Sequence, residues 1–95
     1  MKIAVLGAGV SGLSAARMLK DKGHEVVVYE KNPTIGGLAR SRYVNGMLYD
    51  PHGGHILNSK HKEVMDWVFS IYPKENWQYT DRNAKIFFSG KYVSD

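Results

Sequence analysis

Three glycines spaced as G-x-G-x-x-G, from Gly7 to Gly12, constrain the fold of this chain more than any other feature. A short apolar run at 2–6 leads into them, and a β-branched run at 25–29 follows after one helical length. This order predicts strand, tight turn, helix and strand, which is a βαβ unit over residues 2–30. We expect the first strand to be buried on both faces, as in a parallel sheet.

Each part of this motif suits the binding of a dinucleotide diphosphate. The first glycine makes the turn, Gly9 lets the backbone approach the diphosphate, and Gly12 lets the helix pack closely on the strand. Free N–H groups at the start of the helix, beside the predicted site residues Val10 and Ser11, attract an anion. Glu30 follows Gly12 by 18 residues, close to the roughly 20 expected of an acid that binds a ribose hydroxyl pair. Because a carboxylate repels a 2′-phosphate, NAD and FAD remain as candidates and NADP is disfavoured.

A glycine pair, Gly36-Gly37, comes six and seven residues after Glu30. An NAD-binding domain is expected to continue into another crossover helix, whereas this chain enters the glycine pair and then a hairpin. The departure favours a flavin, with the pair approaching the same diphosphate from the other side. Arg40 leaves two interpretations open: it neutralises phosphate charge, or it pairs with a nearby acid.

Turn and capping signals organise the rest of the chain. Asn45-Gly46 supplies both positive-φ residues of a type I′ turn, and Ser59 is the predicted N-cap of a helix. Three segments follow the βαβ unit: a glycine-pair loop and hairpin at 33–50, a loop and helix at 51–72, and a second hairpin at 83–93.

At this point the sequence resembles a known group of proteins. The run from Ile3 to Arg40 is similar to the FAD-binding start of glutathione-reductase-type flavoproteins, particularly the amine oxidase and protoporphyrinogen oxidase branch. Beyond Arg40 the chain is most similar to UDP-galactopyranose mutase, whose G-x-H-I-F-H-T segment resembles residues 53–59. The resemblance implies an α/β fold: a Rossmann-type FAD-binding βαβ unit with parallel strands, plus a hairpin and a further helix, as a truncated FAD domain. It also implies that the FAD is lined by Ser11, Glu30, Lys31, Leu38, His55 and Ile56.

The same resemblance places the histidine, His55, beside the isoalloxazine ring; a structural loop histidine is the other interpretation. Leu38 stands where the mutases usually carry Asn, and Asn58 stands where they carry a second histidine, so mutase and oxidase chemistry both remain open. The resemblance implies a sugar nucleotide or another small molecule as the substrate of the full-length enzyme. No catalytic residue is predicted here, since the chain lacks a convincing acid–base pair, and we expect the 95 residues alone to be inert.

Composition limits the remaining possibilities. A chain of 95 residues forms one small domain or part of a larger one, and a net charge of +4 favours anionic ligands. The lack of cysteine fits a reducing compartment, so we expect a cytoplasmic protein. No apolar run is long enough to span a membrane. The basic stretch 60–62 lacks interleaved aromatic residues, so no nucleic-acid partner is predicted.

Two further points concern ligands and partners. His52 and His55 have no third ligand in register, so we predict no metal site, and His52 is expected to be an exposed loop residue. Self-association through strand edges or through the helix bearing Trp67 is a fair expectation. The alternative to a flavoenzyme segment is a stand-alone module that binds NAD or ADP.

Overall fold

The structure, a computed structural model, describes residues 1–94. It contains two compact units, one spanning Met1–Leu57 and one beginning at Asn58. In chain order the elements are β1 (Lys2–Leu6), α1 (Val10–Asp21), β2 (Glu25–Tyr29), β3 (Arg42–Val44), β4 (Met47–Tyr49), α2 (Lys62–Ile71), β5 (Lys85–Phe88) and β6 (Lys91–Ser94). Short 3₁₀ helices cover Gly37–Ala39 and Lys74–Asn76.

The first unit is built on a βαβ arrangement. β1 and β2 pair in parallel, with Ile3 opposite Val26 and Val5 opposite Val28, and α1 makes the crossover between them. These four side chains are half-buried, and Ala16 of α1 is buried. The α/β fold class with parallel strands, predicted from the spacing of the motif, is confirmed.

The expectation that β1 is buried on both faces is wrong. Side chains along β1 and β2 alternate between exposed and half-buried, and Leu6 and Tyr29 at the ends of the strands are 83% and 59% exposed. The physical reason is that one crossover helix covers one face of a two-stranded sheet. Within residues 1–57 the opposite face is therefore open to solvent.

The first hairpin has the turn that its sequence predicts. β3 and β4 pair antiparallel, and the two turn residues Asn45 and Gly46 have φ values of +50° and +78°. Positive φ at both positions is the condition for a type I′ turn, whose twist matches that of the flanking strands. The Ser41 hydroxyl donates to the Asp50 carboxylate across the base of the hairpin.

In the second unit the predicted N-cap of α2 is wrong. The cap position is occupied by His61, which makes no side-chain capping bond, and the helix starts at Lys62. The Ser59 hydroxyl instead accepts a hydrogen bond from the N–H of His61 at 3.1 Å. A serine bonded to the backbone two residues on forms a local turn that competes with helix. This bond keeps residues 59–61 outside the helix.

Aromatic side chains hold the C-terminal end of α2. Trp77 packs edge-on against Phe69 and Tyr72, with ring centroids 6.1 and 5.7 Å away, and its indole N–H donates to the Tyr72 carbonyl at 3.0 Å. The hairpin of β5 and β6 follows, turning through Ser89 and Gly90 at positive φ. Neither helix within residues 1–94 has the length and apolar character that crossing a bilayer requires.

Candidate functional site

The first glycine loop joins β1 to α1 and is tied to β2. Gly7 has a φ of +104°, which side chains disfavour, and its N–H donates to the Tyr29 carbonyl at 2.7 Å. A Cβ on Gly12 would lie only 2.0 Å from the Gly7 carbonyl oxygen. The start of α1 thus lies against the turn so closely that no side chain fits at Gly12.

The second glycine loop lies against the first. The Gly36 N–H donates to the Ala8 carbonyl at 2.7 Å, and Gly9 and Gly36 form an isolated parallel bridge. Gly37 has a φ of +57°, and a Cβ there would lie 3.1 Å from the Gly9 Cα. The two loops therefore touch through their backbones, in a space that a side chain at Gly37 would occupy.

The first turn of α1, beside these loops, contains no acidic side chain. Gly9 is the N-cap and supplies no side-chain cap. The first intrahelical bond runs from the Leu13 N–H to the Gly9 carbonyl at 2.9 Å. The preceding N–H groups lie at the positive end of the helix dipole, where an anionic group is stabilised.

Glu30 follows β2, and its side chain bonds to the backbone of the first glycine loop. One carboxylate oxygen accepts the Ala8 N–H at 2.7 Å, and the other accepts the Asn32 N–H at 3.0 Å. The Ala8 bond, followed by the Asn32 bond, lowers the pKa of Glu30 below its ordinary value of 4.5. Glu30 is therefore anionic at neutral pH. Binding of a ribose by this group stays a prediction. The hydrogen bond from the Ala8 N–H, which joins Glu30 to the first loop, was not evident from the sequence.

An open cleft of about 590 Å³, entirely within the first unit, is lined by residues of both glycine loops. Nine predicted site residues line it: Gly7, Gly9, Val10, Ser11, Gly12, Gly36, Gly37, Leu38 and His55. Four predicted residues lie outside the lining: Glu30, Lys31, Arg40 and Ile56. Of these, Glu30 contacts the loop through Ala8, and Arg40 lies beside the second loop, since a Cβ on Gly36 would be 3.1 Å from the Arg40 Cβ.

The cleft also contains residues that the sequence analysis missed, namely Leu6, Ala39 and His52. His52 has the exposed side chain expected of it, yet it shares the cleft with His55. The signal available in the sequence was its position three residues before His55 on one glycine-containing loop. Residues 1–94 contain no cluster of three or more metal-ligating side chains.

Comparison with known proteins decides the family. The family described as the NAD(P)-binding Rossmann-like domain matches residues 5–70. This chain belongs to that family. The match begins in β1, runs through both glycine loops and ends within α2, so it contains every residue that lines the cleft. This Rossmann-like domain is a dinucleotide-binding domain.

Two curated relatives extend the comparison. The domain is 37% identical over 86 residues to protoporphyrinogen oxidase 2, chloroplastic/mitochondrial, of Arabidopsis thaliana, which covers 90% of this chain and 17% of that protein. It is 48% identical over 50 residues to the 4,4'-diapophytoene desaturase (4,4'-diaponeurosporene-forming) of Staphylococcus aureus strain COL, covering 53% of this chain and 10% of that protein. The chain thus spans at most about a sixth of these relatives. The predicted resemblance to protoporphyrinogen oxidases is confirmed.

Proposed function

We propose that this Rossmann-like domain binds FAD in the cleft and is the flavin-binding part of a flavin-dependent oxidoreductase. The observation that carries the proposal is the backbone contact between the two glycine loops at Gly9 and Gly37. A single glycine loop suffices to hold one side of a diphosphate. The second loop, bonded to the first through Gly36, offers backbone on another side of the same cleft, with room that no side chain fills.

The relatives support the redox part of the proposal. One is named as an oxidase and the other as a desaturase, and both names denote oxidation of a substrate. The oxidase is similar over 90% of this chain, which is more than the βαβ unit alone. When bound, FAD would supply the electron-accepting chemistry, while the protein binds and orients it.

Each predicted residue has a proposed role toward FAD. The backbone of the loop from Gly7 to Gly12, with Val10 and Ser11 at the helix start, faces the diphosphate. Glu30 accepts hydrogen bonds from the ribose of the adenosine half, using the lone pairs that its two backbone bonds leave unused. Leu38 and His55 contact the flavin half. Lys31, Arg40 and Ile56 are proposed as outer contacts of the same cofactor.

Ring isomerisation of a sugar nucleotide is the second candidate, favoured by the resemblance of residues 53–59 to UDP-galactopyranose mutase. Both candidates require FAD, and they differ in what the reduced flavin does. We expect the 95-residue chain by itself to turn over neither kind of substrate. Measurable conversion of UDP-galactopyranose by this chain would contradict that expectation.

The cofactor is tested by titrating the chain with FAD, NAD and ADP, using calorimetry and, for FAD, flavin fluorescence. All three ligands share the ADP half, so ADP measures what the first loop and Glu30 contribute. Under the proposal FAD binds more tightly than NAD and than ADP. Equal affinities for the three, or tighter binding of NAD, would instead indicate a stand-alone NAD or ADP module.

A matched pair of variants tests whether the second loop takes part. Gly37→Ala and Gly46→Ala both introduce a side chain at a positive φ, +57° and +78°, so both carry backbone strain of about 1–2 kcal/mol. Only the Gly37 methyl group enters the space between the loops, 3.1 Å from the Gly9 Cα, whereas nothing lies within 4 Å of a Cβ at Gly46. FAD affinity is expected to fall in Gly37→Ala and to persist in Gly46→Ala. Equal affinity in the two variants would remove the second loop from the site.

A further inference from the structure

Two imidazoles in the cleft are left unused by the contacts described above. His52 and His55 are the titratable side chains among the residues that line it. Both are exposed to solvent, and within residues 1–94 neither takes part in a side-chain hydrogen bond or an ion pair. Both imidazoles are therefore available to a ligand.

The rest of the lining has no side-chain charge. The strand end, the helix start and the glycine pair contribute glycine, serine and apolar residues, while the backbone at the start of α1 is electropositive. Four charged groups adjoin the lining in sequence or space. Glu30 bonds to two backbone N–H groups, Lys31 follows it, Arg40 follows the lining residue Ala39, and Asp50 accepts the Ser41 hydroxyl.

From this arrangement we infer that His52 and His55, in their protonated form, bind the diphosphate of the dinucleotide and make its binding depend on pH. This role rests on the proposed function, because it concerns the same cleft and ligand. It assigns to His52, which the sequence marks as a plain loop residue, a share in ligand binding. It also extends His55 from a ring contact to an electrostatic one.

The sign and size of the effect follow from proton linkage. An anion beside an imidazolium favours its charged form, so a bound diphosphate and a protonated histidine stabilise each other. Histidine is the side chain that changes charge between about pH 5 and 8, so affinity for the diphosphate is expected to rise as the pH falls through this range and to decline as the pH rises through it. An exposed ion pair contributes about 0.2–1 kcal/mol, so each histidine strengthens binding roughly 1.5- to fivefold.

ADP-ribose is the probe that isolates the diphosphate. It consists of adenosine and a terminal ribose joined by one diphosphate that is esterified at both ends, with no flavin or nicotinamide ring and no phosphate group that titrates near neutral pH. Its dissociation constant is measured by calorimetry between about pH 5.5 and pH 8, across the histidine titration range. The variants are His52→Gln, His55→Gln and the double variant. His24→Gln, a histidine of the same unit outside the cleft lining, is the matched control.

The wild-type chain and His24→Gln are expected to bind ADP-ribose several-fold more tightly at the acidic end. Each single variant loses part of this gain, and the double variant loses most of it while keeping its affinity at the alkaline end. Binding of ADP-ribose that does not change with pH would overturn the inference and leave the proposed function intact. A pH dependence seen with FAD but not with ADP-ribose would assign the imidazoles to the ring and also overturn it. Failure of both ligands to bind at any pH would contradict the proposed function itself.

Discussion

Replacing Gly12 by alanine sets two opposing effects against each other, and the structure decides which one dominates. Gly12 lies in the first turn of α1, where alanine is favoured over glycine by about 0.8–1.0 kcal/mol in intrinsic helix propensity. From local propensity alone, Gly12→Ala would stabilise the chain. The added Cβ, however, would lie 2.0 Å from the Gly7 carbonyl oxygen and 3.5 Å from a methyl group of Val5.

This contact cannot be relieved by a small adjustment. Ordinary contact begins at 3.4 Å, so the Gly7 oxygen or the helix start must move by more than 1 Å. Gly7 is held by its 2.7 Å bond to the Tyr29 carbonyl, and moving α1 would disturb its packing on the sheet. Overpacking of this kind costs about 1–3 kcal/mol and occasionally more. Because the contact is so short, we take the upper part of that range and expect a net loss of at least about 1 kcal/mol.

The assay is thermal unfolding followed by the circular dichroism of the helices. For a chain of this size a loss of 1 kcal/mol lowers Tm by roughly 4–8 °C. Gly54→Ala is the control, because nothing lies within 4 Å of a Cβ there and its φ is not positive; its Tm should stay close to that of the parent chain. A Gly12→Ala variant as stable as the parent, or more stable, would refute the close approach of α1 to the first loop.

Two further predictions concern single hydrogen-bonded groups. The Ala8 N–H bond is the main cause that lowers the folded-state pKa of Glu30. The contribution of the Glu30 carboxylate to stability is therefore present above the ordinary pKa of 4.5 and is lost as the pH falls through the lower, folded-state value. Urea midpoints measured from pH 7 down to pH 3 should fall more in the parent than in Glu30→Gln, and parallel curves would contradict this. Trp77→Phe removes the indole donor to the Tyr72 carbonyl but keeps an aromatic ring, so it should cost about 0.5–1.5 kcal/mol in urea unfolding. Trp77→Ala, which also removes the ring, should cost more, and equal losses would mean that the ring contributes nothing.

Local rules account for the parts of the fold that could be predicted. β1 and β2 have the bounds that the apolar runs indicate, and the turn at Asn45 and Gly46 follows from the φ values those residues tolerate. The start of α2 was predicted too early because a serine can form either a helix cap or a local turn. The choice made by Ser59 depends on the geometry of the following residues, which sequence alone does not specify.

The candidate site divides in the same way. The glycine spacing in the sequence determined by itself that a strand would turn into a helix with an exposed set of N–H groups, since only glycine fits the φ of Gly7 and the contact at Gly12. Three relations were decided only by the tertiary structure: the bond of Gly36 to Ala8, the bond of Glu30 to the same loop, and the position of His52 in the cleft. They join residues 22 or more positions apart or depend on how a glycine-rich loop folds back. Such contacts arise from the path of the chain in space, which no local preference encodes.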